Sequence, residues 1–511
     1  MARHREIASS RFHAARDDSH QPVIASEPKQ SLGGRRRVAS AVRDRVRLVL
    51  VGLGISVVPL DTAVNIAFPD ITGAFGLPIA MIQWVVICYV LTHAGLMLAF
   101  GRVGDMWSHG RVFRAGLAWS IAAFLLCAAA PSYGWLLFFR VLQGIGAGLI
   151  ISCAPALVTS LYPEARRSHA LGIFTLMFAL GSALGPLIGG VLVARWGWPA
   201  VFWFRAPIAL TSLLFLRGLP AQTRSGRSER FDILGALLLA FGLASLLLAV
   251  NALSRLQQGS YLGPVLLALA AASLVGFVYW EGRAPQPIIQ IQLFRSARFA
   301  LVNLSSALMY LMTFSVMLIG PYFIKPVLIS VYGHSWGGVL AGVVLASGFI
   351  AMAAASPLAG ALVARLGPQW IAPLGALASG LGLFSVGSWE PQTAMPVLLL
   401  SLALQGVGTG LFQVAYMEIV MAASPLAHRG VAGSLSMLTR TIGVVTGAAV
   451  LTLAFQTLEA AALAAGAAKT EAFMTAFQTV FRICGIAAAL TGALVAWPGR
   501  GKRHNRAKRD L

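Results

Sequence analysis

Charge is what this sequence has least of. Only 11% of its 511 residues are Asp, Glu, Lys or Arg, where a soluble domain carries about 25%, so a water-exposed globular surface is excluded. Cysteine is nearly absent too. Cys88, Cys127, Cys153 and Cys484 all lie in apolar stretches, without metal-ligand spacing or an evident disulfide pairing, and read as packing residues. No His/Cys cluster suggests a metal. No glycine-rich loop ends in Lys-Ser or Lys-Thr, which argues against transport driven by nucleotide hydrolysis. No nucleophile–base set suggests an enzyme, and nothing calls for a cofactor. The first 46 residues hold no apolar core of a secretory signal, and Glu6, Asp17, Asp18, Glu27 and Asp44 argue against a transit peptide. That polar, Arg-rich tail reads as a disordered cytoplasmic extension.

What fills the chain is apolar: 58% of residues are hydrophobic. Fourteen runs approach or exceed the ~20 residues a bilayer requires: 47–68, 81–100, 112–130, 135–161, 170–194, 200–219, 232–252, 262–281, 299–324, 337–357, 370–389, 395–422, 430–455 and 475–497. The net charge of +22 suggests a nucleic-acid partner until the charges are placed. The tails and the even-to-odd loops carry most of the 39 Lys and Arg, whereas the opposite side holds only Arg195, Arg205, Arg255, Lys325, Lys469 and Arg482. This bias puts both termini in the cytoplasm, and the basicity reports topology, with anionic-lipid contact at the C-terminal GRGKRHNRAKR.

Glycine and proline concentrate where a soluble helix would not tolerate them. TLMFALGSALGPLIGGVL at 175–192 carries Gly181, Gly185, Pro186, Gly189 and Gly190. In lipid the helix survives, because freed backbone groups find no water. Glycines four apart make a smooth stripe for another helix, and Pro186 removes a donor and bends the helix beside it. Gly185 and Gly189 are expected to meet the opposite half of the molecule. LQGIGAGLI at 142–150 recurs as LQGVGTGLF at 404–412, 262 residues on, and the same offset carries Gly181 and Gly185 onto Gly443 and Gly447. Segments 1–6 therefore correspond to segments 9–14. The expected fold is an all-α polytopic membrane protein: two six-helix bundles around a central cavity plus two inserted helices, 14 transmembrane helices in all. The divisions are a basic tail at 1–46, an N-terminal bundle at 47–219, linkers and the inserted pair at 220–298, a C-terminal bundle at 299–497 and a basic tail at 498–511. TRSGRSER at 223–230 and the Pro-rich 283–298 flank the insert.

These motifs resemble the major facilitator superfamily, and within it the fourteen-helix drug:proton antiporter branch, over roughly 47–497. GSALGPLIGG resembles that branch's fifth-helix antiporter motif, RVLQGIGAG at 140–148 its fourth-helix motif with a buried Arg140, and QWVVICYVL at 83–91 the start of its second helix. LDTAVNIAFP at 60–69 is similar to the first-helix motif, with Asp61 and Asn65 four apart where five is common. GRVGDMWSHGRVF at 101–113 matches the loop between helices 2 and 3 at Gly101, Asp105 and Arg111, a gating element in the family. It departs at Ser108, His109 and Gly110, where Gly and basic residues are usual. The resemblance implies a central cavity bordered by helices 1 and 4.

Asp61 lies about fourteen residues into the first run, so ~21 Å above the cytoplasmic edge, at a depth similar to that of Arg140. A charge at such depth needs a partner or water. Asp61 with Arg140, and Asn65 one turn beyond, is either a proton or substrate site or a structural ion pair. Glu418 is expected either to line the cavity from the other half or to sit solvated at the interface. Arg440, at mid-depth, either neutralises Glu418 or fixes a helix contact. His93 could titrate near neutrality but reads as structural, and most tryptophans fit an interfacial belt. The function expected is secondary export of a small amphipathic compound, driven by inward proton flow through a monomer in the cell membrane. A facilitator or symporter of a defined metabolite is the alternative, and a transporter-like sensor or structural membrane protein a third.

Overall fold

In a bilayer, apolar side chains gain little by leaving lipid for a neighbouring helix, so close approach falls to small residues. Glycine accordingly organises this molecule. The computed structural model describes residues 49–160, 167–216, 232–253, 261–284, 296–423 and 429–496. The expectations for 1–46, 223–230, 498–511 and most of 283–298 lie outside the described residues.

Among the described residues every regular element is helical, as a chain must be when lipid offers its backbone no partner. In order these are α1 (Val49–Ile66), α2 (Phe68–Ala74), α3 (Gln83–Trp107), α4 (His109–Ala128), α5 (Tyr133–Ser160), α6 (Arg167–Trp196), α7 (Arg205–Phe215), α8 (Ile233–Leu253), α9 (Leu262–Glu281), α10 (Ala297–Leu318), α11 (Gly320–Leu366), α12 (Pro368–Val386), α13 (Met395–Ala423), α14 (Arg429–Ala464) and α15 (Lys469–Ala496). Among the described residues eleven helices are long and apolar enough to cross a membrane, and shorter apolar helices cover Leu180–Trp196, Ala200–Phe215 and Leu237–Leu246. The chain is an all-α polytopic membrane protein. Two stretches depart from regularity. Within α1 the segment Pro59–Thr62 tightens to a 3-10 turn, so Asp61 and Asn65 do not share one regular helix. Within α11, Gly333 at φ 75° and ψ 170° divides the run into two helices.

The N-terminal helices pack on one another: α3 and α4 flank α5, α4 meets α7, and α6 meets α1. In the C-terminal part α12 sits between α13 and α15, α11 packs on α13, and α10 on α14 and α15. Helices α8 and α9 pair with each other, with α8 also touching α3 and α14. The two parts meet where α6 lies on α11 and α3 on α14.

The repeated glycines are used alike. Gly144 and Gly148 abut α3 at Tyr89, Thr92, His93 and Phe100, while Gly146 between them abuts Ser120 of α4. Gly406 and Gly410 abut Gly348 and Met352 of α11, while Gly408 abuts Gly375 and Ser379 of α12. A methyl group at Gly406 would stand 2.0 Å from the Gly348 carbonyl oxygen, so nothing larger than glycine fits. Gly443 and Gly447 rest on Ala307 and Leu311 of α10, as Gly181 and Gly185 rest on Pro59, Thr62 and Ala63 of α1.

This last contact corrects an expectation. Gly185 and Gly189 do not meet the opposite part of the molecule; Gly181, Gly185 and Gly189 all face α1. The contact across belongs to Pro186 and Gly190, one position on and about 100° round the helix. A methyl group at Gly190 would lie 2.6 Å from the Gly338 carbonyl oxygen, and one at Gly342 2.5 Å from that of Pro186.

The α3–α4 joint carries local strain. Ser108 has φ 104° and ψ 123°, outside the small left-handed basin open to residues with a side chain. The matching α11–α12 joint has Gly367 at φ 87° and ψ 149°. Ser108→Gly is expected to stabilise the protein by about 1 kcal/mol, the strain relieved less the entropy glycine adds to the unfolded chain. Thermal unfolding of the purified protein in detergent checks this, and an unchanged or lower midpoint counts against the strain.

Candidate functional site

A cavity of about 260 Å³ lies between the N-terminal and C-terminal helices. Its walls come from α1, α3, α5, α6, α10, α11, α13 and α14. Much of the lining is soft and apolar, with Met97, Phe314, Met317, Phe349 and Met352 among it, and it is interrupted by a few charges. Among the described residues no group of three or more His, Cys, Asp and Glu is placed to hold a metal.

Asp61 is the acidic feature of the wall. The Arg140 guanidinium grips its carboxylate with both terminal nitrogens, Nη1 to Oδ1 at 2.7 Å and Nη2 to Oδ2 at 2.9 Å, the two-pronged geometry that makes Arg–carboxylate pairs strong. Gln143, three residues along α5, donates to Oδ1 at 2.8 Å. Arg140 is in turn fixed by donating through Nε to the Val85 carbonyl at 2.8 Å and through Nη1 to Gln143 Oε1 at 2.9 Å, and by lying 4.3 Å from the centre of the Tyr89 ring. The expected meeting of Asp61 and Arg140 is thus observed.

A second arginine joins them. Arg205, at the start of α7, donates from Nη1 to Asp61 Oδ1 at 2.7 Å and is wholly buried. Its Nε and Nη2 have no hydrogen-bond partner, and its guanidinium lies 4.4 Å from the Phe124 ring centre. Two guanidiniums thus share one carboxylate. Arg140 is 1% exposed and Asp61 13%, so the carboxylate is the member of this cluster that reaches the cavity. The charge count along the sequence places Arg205 with the outer loops and segment ends, whereas the structure buries it against Asp61. The available signal was its position inside the apolar stretch FWFRAPIAL.

The other candidates separate. Asn65 lines the cavity but donates to Met317 Sδ at 3.2 Å, not to Asp61, which ties α1 to α10. Arg440 also lines it, stacked 5.3 Å from the Tyr310 ring centre. Glu418 does not: it is exposed and outside the cavity wall. Gln405, Thr409 and Gln413 mark the face of α13 that lines the cavity, and thirteen residues on from Gln405 a helix has turned about 220° away. Arg440 therefore does not neutralise Glu418. His93 lines the cavity, its Nδ1 donating to the Tyr89 carbonyl at 3.1 Å. Of the expected gating loop, Gly101 has open space around it and Arg111 is exposed; the Asp105 side chain lies outside the described ones. Cys127, Cys153 and Cys484 are buried, and no disulfide forms among the four cysteines.

Contacts between the two parts also occur beyond the cavity. Lys325 of α11 forms an ion pair with Asp70 of α2, and the Tyr322 hydroxyl donates to the Phe68 carbonyl at 3.3 Å. No local pattern signals that Asp70 and Lys325 meet, since they are 255 residues apart.

Comparison with known proteins bears on this arrangement. The chain is 29% identical over 406 residues to the multidrug resistance protein Stp of Mycobacterium tuberculosis, covering 79% of this chain and 74% of that protein. It is 30% identical over 417 residues to the tetracenomycin C resistance and export protein of Streptomyces glaucescens, covering 81% and 76%. In fold it matches a bacterial homologue of the human lysosomal transporter Spinster, in its inward-facing and occupied conformation, with a TM-score of 0.65 at 16% identity over 89% of this chain and 96% of that one. A sequence model of the Major Facilitator Superfamily matches residues 50–448, and again 302–510. With that match spanning most of a helical chain built around a charged central cavity, the protein belongs to the major facilitator superfamily and is a secondary transporter rather than an enzyme.

Proposed function

We propose that this protein exports a small amphipathic compound across the cell membrane in exchange for inward-moving protons. In this reading α1–α7, with the short α2 continuing α1, and α10–α15 form two six-helix bundles, α8 and α9 are an inserted pair, and the chain falls in the fourteen-helix drug:proton antiporter branch. The paired use of Gly144–Gly148 and Gly406–Gly410 supports the two-bundle arrangement, and the distribution of Lys and Arg supports cytoplasmic termini. Two relatives with resistance or export in their names favour efflux.

The observation that carries the mechanism is Asp61, held by two buried arginines yet open to the cavity. A proton can reach this carboxylate only if the ion cluster loosens, because neutralising it leaves two guanidiniums facing each other in a medium that does not solvate them. Substrate entry or movement of α1 would supply that loosening. Proton and substrate then bind one cavity with different preferences for its two states, which is the requirement for coupled alternating access. The 3-10 turn at Pro59–Thr62 gives α1 a point of adjustment beside the carboxylate.

Inverted membrane vesicles test the reading. A panel of amphipathic compounds should include one that accumulates when an inward-acid pH gradient is imposed and is released when a protonophore collapses it. Accumulation indifferent to the gradient would make the protein a facilitator.

A further inference from the structure

The charge on the cavity wall has a sign, and that sign selects a substrate class. Asp61 is already more than neutralised: Oδ1 accepts from Arg140, Gln143 and Arg205, and Oδ2 from Arg140. A substrate ammonium group would add a third cation to a cluster that already sets two guanidiniums against one carboxylate. Across the cavity Arg440 is in the opposite condition. It lines the wall, its recorded contact is the Tyr310 ring, and no carboxylate among the described residues pairs with it. With the two guanidiniums buried behind Asp61, three stand against one carboxylate at and around this space, whose low-dielectric walls focus the field of the excess positive charge. Gln413 on α13 offers a further polar group to the same space, and Met317, Met352, Phe314 and Phe349 offer an adaptable apolar bed.

We propose that the cavity takes an amphipathic anion, its carboxylate or comparable acidic group seated on Arg440 and its apolar body among the methionines and phenylalanines. Arg suits this role because its rigid fork matches a carboxylate, and here the fork is not consumed by a protein acid. The proposal rests on the transport reading above and specifies the charge of what is carried. It also has an electrical consequence. An anion leaving while a proton enters moves two elementary charges in one electrical sense per cycle, whereas a monovalent cation leaving for one proton moves none.

Three ligands sharing one body test it: 2-naphthoate, 2-naphthamide and 2-naphthylmethylamine, titrated against the purified full-length protein in detergent, with binding read by thermal shift. The naphthoate is expected to bind at least about tenfold more tightly than the other two, as loss of a charge-assisted pair implies. Arg440→Gln should remove that preference, and Arg440→Lys, which keeps the charge, should retain part of it. Equal shifts from all three ligands, tighter binding of the amine, or an undiminished preference in Arg440→Gln would each overturn the proposal. Because binding is scored and not flux, failure here revises the substrate's charge and leaves the transport reading standing. Failure of gradient-driven uptake in vesicles would do the reverse.

Discussion

Asp61→Asn is expected to reduce gradient-driven uptake into inverted vesicles to background while the protein still reaches the membrane. The amide can accept hydrogen bonds from Arg140 and Arg205, but it carries no charge to hold them. Breaking a buried pair by removing one partner costs about 3–5 kcal/mol, so lower yield and a lower unfolding temperature should accompany the loss. Asp61→Asn combined with Arg205→Met separates the two effects. Removing the second guanidinium, whose Nε and Nη2 are unpartnered, should recover much of the stability but none of the uphill transport. If Asp61→Asn alone transports uphill at the native rate, Asp61 is not the coupling group. His93 then becomes the leading candidate, since it lines the cavity and Glu418 does not.

Gly190→Leu should give the second large effect, and of a different kind. Its side chain would enter the contact with Gly338 and Gly342, a contact between the two parts of the molecule and not within one. We expect near-normal insertion and yield with uptake slowed by roughly tenfold or more, since each 1.4 kcal/mol against one state costs a factor of ten in its population. Gly185→Leu provides the contrast. A methyl group there already lies 1.9 Å from Thr62 Oγ1, inside the N-terminal part, so the loss should appear as poor folding and low yield. Uptake assays beside detergent thermal unfolding tell the two outcomes apart, and unimpaired transport by Gly190→Leu would remove the α6–α11 contact from the cycle.

Much of this was legible in the sequence because periodicity and charge scarcity are strong signals in lipid. The helical runs follow from the rule that a bilayer tolerates no open backbone, the repeat at 142–150 and 404–412 is read directly from the matching residues, and the pairing of Asp61 with Arg140 follows from the cost of a lone charge together with the helix neighbours that the family resemblance implies. What was hidden is rotational and long-range. Glycine spacing identified a smooth stripe on α6 but not its neighbour, and a shift of one residue, from Gly189 to Gly190, exchanges α1 for α11 as the partner. The two readings of Glu418 stayed open for the same reason, since depth along α13 was readable and direction around it was not; the exposed one is found. Arg205 follows the short helix Ala200–Trp203 and is buried at the start of α7, which no local pattern announces.

The Asp70–Lys325 pair has a consequence for the living cell. Asp70 is 30% exposed and Lys325 only 7%, so one partner is wetted while the other is held inside. Mobile ions screen exposed charges that lie more than a Debye length apart, about 10 Å at 0.1 M salt, and act far less on a pair in contact with one partner buried. The attraction between α2 and α11 therefore persists from dilute to salty surroundings. Parting the two helices would cost much the same in either medium, so the osmotic history of the cell leaves this contact untouched.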